Sequence, residues 1–331
     1  MTVTNILSES ILEKYIYPVL PVRLVTMIRA VPAAILANLT EIRLRINRPL
    51  LLVLGNTDII VNPMGRVITK YDEAYLCNQD DVHKTLQLIS KNSLYAFEQE
   101  LKMGFLTIDG GHRIGLAGQA IVEAGDVKAL KNISSLNIRL AREVIGCADK
   151  IMPYIMTLEG HVLNTLIISP PRCGKTTILR DMIRQISTGS RLYKGLQVGV
   201  VDERSEIAAC KNGISTVDLG VRTDVLDSCP KAIGMLMLIR SMSPAVVATD
   251  ELGRAEDIYA VREALNAGVS VLTTVHGNEI NELLHRPYVG ELLEHKYFQR
   301  YIVLSDVPRV GTVEKIIDSK NNEILWDKTS K

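Results

Sequence analysis

The sequence predicts an α/β chain: a second half built on a mostly parallel sheet, preceded by a smaller α+β domain. Three observations predict it. From about residue 145, apolar runs of strand length alternate with helix-period segments, which implies parallel strands joined by crossover helices. Ahead of that point, short alternating runs are joined by tight turns, as in antiparallel pairs. Where the second half begins, an apolar run ending at Ile168 leads through Ser169-Pro170-Pro171-Arg172-Cys173-Gly174-Lys175-Thr176-Thr177 into Ile178, Leu179, Met182, Ile183 and Ile186 at helical spacing. Strand, tight loop and helix is the setting of a phosphate-binding loop.

At 331 residues the chain is long enough for two domains with separate cores, expected at 1–144 and 145–331. Charged residues make up 23% and nearly balance to +1, which excludes a strongly basic nucleic-acid binder as the whole chain. Five cysteines (Cys77, Cys147, Cys173, Cys210, Cys229) are widely spread without a Cys-x-x-Cys pair. That argues against a disulfide scaffold and structural zinc, and fits a reducing compartment.

Taken in order, Ile6, Leu7, Ile11, Leu12, Tyr15 and Ile16 with Glu9, Glu13 and Lys14 read as an amphipathic helix, not a signal peptide. Helical character continues to about residue 40, broken at Pro18, Pro21 and Pro32. Glu41 to Ile46 alternates with a period of two, as a half-buried strand does. Leu50 to Leu54 and Ile59 to Val61 flank a Gly55-Asn56-Thr57-Asp58 turn and predict a hairpin. Asp80 to Ser93 carries Val82, Leu86 and Ile89 at helical spacing. Gly104 to Ile108, Asp109-Gly110-Gly111 and His112 to Leu116 predict a second hairpin, because Asp-Gly between alternating runs favours one. Ala120 to Glu123 and Leu136 to Leu140 read as further strands. In the second half, strands are expected at 162–168, 197–202, 245–249 and 269–275, and helices at 176–187, 229–241 and 255–267. No apolar run approaches the roughly 18 to 20 residues that span a bilayer; the best, Ala232 to Ile239, ends at Arg240. A cytoplasmic protein with no membrane span is expected.

The loop supplies the parts that hold a nucleotide triphosphate. Gly174 lets backbone approach a phosphate, the Lys175 ammonium reaches β- and γ-phosphates, and the Thr176 hydroxyl suits Mg²⁺. Pro170, Pro171, Arg172, Cys173 and Thr177 complete the cradle with helix-start N–H groups. Ser169 stands where Gly usually begins the pattern. ATP hydrolysis further needs a carboxylate for the metal and one for the attacking water. Two strands end in Asp-Glu, at Asp202-Glu203 and Asp250-Glu251, the strand edge where open α/β sheets bind ligands. The later pair precedes a strand ending at His276. That order matches phosphate-loop folds with a strand inserted between the loop strand and the metal-carboxylate strand. Asp250 is therefore expected on Mg²⁺, Glu251 on the water, and Asp202-Glu203 as a second acidic element. His276 is expected either to donate to the γ-phosphate or to orient Glu251.

The spacing of these pieces resembles the ATPases of type II secretion and type IV pilus assembly. Asp202, Glu203 and Glu206 match their acidic box, Ser243 to Glu251 their Walker B segment, and Thr273-Thr274-Val275-His276-Gly277-Asn278 their histidine box. Longer strings are similar to the stage III sporulation protein AA family: Ser93 to Ala96, Gly110 to Gly118, Val201 to Ile207 and Val221 to Asp227. Ser169, Ala245 and the stretch Asp306-Val307-Pro308 depart from the patterns. The resemblance implies a RecA-like ATPase using ATP and Mg²⁺, with Glu251 catalytic. It implies a hexameric ring on the mother-cell side of the spore's double membrane, acting on a channel of membrane-embedded stage III sporulation proteins. It also implies an arginine reaching a neighbour's γ-phosphate; Arg204, Arg222, Arg240 and Arg254 are candidates, with Arg222 favoured.

Gly110-Gly111-His112-Arg113 reads either as a hairpin with Arg113 on its surface or as a contact swinging Arg113 or Arg139 to a neighbour. Two rival functions stand beside the motor. One is a nucleic-acid-dependent ATPase using Arg43, Arg45, Arg48, Arg113, Arg139 and Arg142, although nucleic acid is not the expected partner. The other is a scaffold that binds ATP without hydrolysing it.

Overall fold

The computed structural model describes residues 11–55, 57–90, 104–123, 126–141, 144–210 and 212–329. Residues 6, 7 and 9 of the expected N-terminal helix, the Ser93-to-Ala96 string and Arg142 lie outside them. The chain divides into two compact units, Met1–Arg142 and Glu143–Lys331.

In the first unit, helices α1 (Val22–Arg29) and α2 (Ala33–Leu36) each begin behind a proline, Pro21 and Pro32. No helical bond awaits an N–H there, so the missing donor costs nothing. Strands β1 (Glu41–Arg45), β2 (Leu51–Leu54), β3 (Thr57–Val61) and β4 (Val67–Ile68) form a meander. Helix α3 (Gln79–Ile89) opens on a capping box made by Asn78 and Asp81. Strands β5 (Phe105–Ile108), β6 (His112–Glu123) and β7 (Asp126–Arg139) follow. The sheet runs β4-β3-β2-β1-β7-β6-β5, with antiparallel pairing throughout.

The runs expected as separate strands at 112–116 and 120–123 are one strand, β6, and Leu136 to Arg139 is only the end of the long β7. Beyond Leu116 most of β6 is exposed, so the paired arm lacks the apolar alternation by which a strand is read. Ile42 and Leu44 face the core, fully buried. The alternate residues Glu41, Arg43 and Arg45 share the other face with Arg139 and Arg113 through the register. Part of the charge on that face is already engaged. Arg43 lies 2.7 Å and Arg139 3.7 Å from Glu41 carboxylate oxygens, and the Arg113 guanidinium stacks 3.6 Å from the Phe105 ring centroid.

The second unit contains α4 (Met152–Ile155), β8 (Thr165–Ser169), α5 (Lys175–Thr188), β9 (Val198–Asp202), β10 (Thr223–Asp227) and α6 (Lys231–Met242). It continues with β11 (Val246–Glu251), α7 (Ala255–Asn266), β12 (Ser270–His276), α8 (Ile280–Leu284), α9 (Val289–Glu294), β13 (Arg300–Ser305), β14 (Thr312–Asp318) and β15 (Glu323–Asp327). The sheet order is β10-β9-β11-β12-β8-β13-β14-β15. The strands from β10 to β13 are parallel, and β14 and β15 add an antiparallel edge.

Alternation along the strands feeds a core on each face. Ile167, Val200 and Ala248 meet α5 through Ile178, Met182 and Ile186. Leu166, Ile168, Val201 and Val247 meet α6 and α7 through Met235, Leu238, Ile258 and Val261. The strands expected at 162–168, 197–202, 245–249 and 269–275 correspond to β8, β9, β11 and β12; β10 and β13 to β15 are additional. Among the described residues, no helix is long and apolar enough to cross a membrane.

Candidate functional site

Strand β8 is buried along its whole length, with β12 on one side and β13 on the other. Pro170 and Pro171 then break the ladder, because neither carries an N–H. Arg172 at φ 64° and Gly174 at φ 86° turn the chain back. Gly174 takes a φ that L side chains rarely adopt, and a Cβ there would crowd Val310 Cγ1 at 3.1 Å and the Gly311 backbone at 3.3 Å, so this position favours glycine. Ser169 keeps a negative φ, and its hydroxyl donates to the Pro170 carbonyl at 2.8 Å. Helix α5 starts with no side-chain cap and no acidic residue in its first turn. Its first N–H groups and dipole therefore favour an anion.

Lys175 is buried at the helix start. Its ammonium donates to the carbonyls of Ser169 at 3.0 Å and Pro170 at 3.1 Å, and lies 2.7 Å from His276 Nδ1. Burial lowers its pKa, against the attraction of Glu251. An ammonium has only donors, so Nδ1 accepts and the imidazole proton rests on Nε2. Nε2 stands 2.9 Å from Glu251 Oε2. A continuous line runs Lys175–His276–Glu251. His276 thus contacts both side chains, Lys175 through Nδ1 and Glu251 through Nε2.

The acidic strand end is re-aimed by a bulge. Pairing of β11 with β12 slips between Ala248 and Glu251, setting one extra residue at the end of β11. Asp250 is buried, while the Glu251 side chain is 38% exposed. Burial pushes the Asp250 pKa up, with Glu206 and Glu203 adding to it, against Lys231. Lys231 Nζ sits 3.0 Å from Asp250 Oδ1 and 3.2 Å from Glu203 Oε2, and donates to the Glu251 carbonyl at 2.6 Å. Oδ1 of Asp250 is buried, and the Lys231 ammonium is the cation set against it.

The same cleft, about 360 Å³, is lined by Gly174, Lys175, Thr176, Asp250, Glu251 and His276. Among the described residues no three His, Cys, Asp or Glu side chains converge as a metal cage. One hydroxyl (Thr176) and one carboxylate (Asp250) in the same cleft are instead a donor set that fits Mg²⁺ when phosphates and water supply the rest.

The other acidic pair is divided between two tasks. Asp202 is fully buried and accepts N–H groups from Glu206 (2.8 Å), Ile207 (2.9 Å) and Ala208 (2.7 Å), shaping its own loop; burial pushes its pKa up to about 6 against those donors. Glu203 reaches the site only through Lys231, whereas Glu206 and Arg204 line the cleft. Cys173 is buried, and its carbonyl accepts the Gly311 N–H at 3.1 Å. Thr177 lines the cleft beside Thr176.

Arg222 is not brought to this chain's site. Its guanidinium donates to the carbonyls of Ser187 and Thr188 at the far end of α5, roughly 21 Å along a helix of this length. Lys231 escaped the sequence reading. The available signal was a lysine in the first turn of a helix, where the dipole disfavours a cation, directly after Pro230.

The family model described as "Sporulation stage III, protein AA" matches residues 13–324. Stage III sporulation protein AA of Bacillus subtilis (strain 168) is 44% identical over 304 residues, 92% of this chain and 94% of that protein. Among solved structures, the Legionella pneumophila ATPase DotB aligns with a TM-score of 0.55 at 17% identity, over 86% of this chain and 77% of DotB. The pilus retraction motor PilT, solved with bound ADP, aligns at 0.53 and 16% identity, over 88% and 80%. At these identities the likeness to DotB and PilT is one of fold, and the fold is the RecA-like P-loop fold.

Proposed function

The chain belongs to the sporulation stage III, protein AA family, and on that premise we propose that it binds and hydrolyses ATP as an assembly or secretion-type motor. One observation carries the reading: Lys175, His276 and Glu251 form a hydrogen-bonded line in a cleft that also holds Thr176 and Asp250. Backbone N–H groups at the start of α5 hold the phosphates. Lys175 exchanges the Ser169 and Pro170 carbonyls for β- and γ-phosphate oxygens. Glu251 takes a proton from the attacking water, and His276, donating through Nε2, fixes the carboxylate that does so. Asp250 and Thr176 would hold Mg²⁺, which supplies charge neutralisation on the phosphates when bound. Glu203 acts through Lys231, which keeps Asp250 in place.

The motor's target in this reading is a sporulation-specific membrane channel, reached from the cytoplasmic, mother-cell side by a hexameric ring. The arginine that a ring neighbour supplies is less readily Arg222, whose guanidinium is already committed to α5, than Arg204, Arg240 or Arg254.

Glu251→Gln keeps shape and removes basicity. ATP affinity should hold while turnover falls at least about 100-fold, measured by equilibrium nucleotide binding beside phosphate release. Undiminished turnover would remove Glu251 from its role. Lys175→Ala should lose nucleotide binding itself, and unchanged affinity would count against the loop. Wild-type chain that binds ATP and forms rings but releases no phosphate would select an ATP-dependent scaffold instead.

A further inference from the structure

The cleft around Lys175 and Glu251 is lined by polar or charged side chains and glycine with one exception among the described residues. That exception is Val310, which stands 60% exposed. An aliphatic group held in water beside a phosphate loop is unfavourable and gives nothing to a phosphate. Its place in the fold indicates what it meets. The carboxylates and His276 lie on the β11–β12 side of β8, whereas Val310 belongs to the β13–β14 turn, residues 306–311, on the opposite side.

That turn is fastened to the phosphate loop and braced from behind. The Gly311 N–H donates to the Cys173 carbonyl at 3.1 Å, and Val310 stands against Gly174, its Cγ1 3.1 Å from where a Cβ there would sit. Lys328 Nζ donates to the Val307 carbonyl at 2.6 Å and to Glu314 at 2.8 Å. Ser305 Oγ donates to the same Val307 carbonyl at 3.1 Å. A turn held at so many points is a preformed wall, not a loop that must order on binding.

We propose that the β13–β14 turn is the base-side wall of the nucleotide site, with Val310 the aliphatic surface on which a purine ring lies. The inference rests on the triphosphate reading above. A triphosphate with its γ end between Lys175 and Glu251, and its other phosphates on the following amides, carries its nucleoside away from β11 and β12. It leads toward β13. A purine face laid on Val310 removes apolar surface of both partners from water.

Equilibrium binding of Mg-ATP and of inorganic tripolyphosphate to the full chain separates the two claims. Val310→Ala should weaken ATP about fivefold, the loss expected for a few tens of Å² of apolar contact, and Val310→Asn should weaken it further. Tripolyphosphate, which has no base, should bind both variants as it binds the parent. Leu158→Asn, an exposed aliphatic away from the turn and outside the cleft lining, should change neither ligand. The base wall is refuted if Val310→Asn leaves ATP affinity intact. It is equally refuted if ATP and tripolyphosphate weaken together, because the turn would then only support the loop. Failure of the triphosphate reading has a different signature: tripolyphosphate would not bind the parent chain, or would bind Lys175→Ala equally well.

Discussion

A lysine in the first turn of a helix sets its charge against the positive end of the dipole, yet Lys231 occupies that position with its pKa raised. Burial acts to lower it, and Asp250 and Glu203 outweigh burial. Its ammonium is the counter-charge of the acidic end of β11. Lys231→Met keeps the stem and removes that charge, leaving Asp250 buried beside Glu203 and Glu206. Breaking a buried pair from one side costs about 3 kcal/mol, so the variant should unfold at clearly lower urea than the parent without ligand. Added Mg-ATP should narrow the gap by restoring positive charge there. Equal urea midpoints without ligand would show that Lys231 is not the balancing charge. The contrast with Lys175, Asp250, Glu251 and His276 is instructive. Those four were legible because each sits at the end of an apolar strand or the start of a periodic helix. Nothing around Lys231 in the sequence joins it to β11; only the third dimension does.

Turns that demand glycine are legible in the same way, and the β5–β6 hairpin is the clearest case. Gly110 and Gly111 both have positive φ, and a Cβ on Gly110 would meet His112 Nε2 at 2.8 Å and the Tyr15 ring at 2.9 Å. What the turn hides was not legible: His112 is buried, accepts the Ala141 N–H at 2.9 Å through Nδ1, and leaves Nε2 without a hydrogen bond. Burial lowers its pKa to about 4 from 6.5. The unfolded chain therefore binds the extra proton between pH 6.5 and 4, so stability falls as pH falls through that window. The loss is about 2 to 3 kcal/mol. Denaturation series at pH 7 and pH 4.5 should show that slope for the parent and a flatter one for His112→Leu. An identical slope in both would place the acid sensitivity elsewhere. Some of the strand segments that escaped the sequence reading share one cause. The outer halves of β6 and β7 are largely exposed, and β10 is half-buried at every residue, so neither carries the apolar contrast that marks a strand.

At the scale of the molecule, the change from antiparallel to parallel grammar near residue 145 was legible because crossover helices impose a repeating apolar rhythm. The antiparallel edge of β14 and β15 was not, because it breaks that rhythm after the motifs end. Every residue of the proposed triphosphate site comes from Glu143–Lys331, whose cores on both faces of the sheet are built from its own strands and helices. The first unit has a separate core of its own residues. A ligand held by one unit stabilises that unit by mass action, about 2.7 kcal/mol at a hundredfold excess over Kd. Hydrogen exchange of the full chain with and without Mg-ATP should therefore protect amides of β8, β11, β12 and the start of α5. Protection there should rise by roughly the hundredfold that this free energy corresponds to where opening exposes the site. Amides of β1, β2 and α3 should exchange at unchanged rates. Equal protection of both groups would mean that the units open as one cooperative body, and no added protection in β8 would remove the nucleotide from the loop.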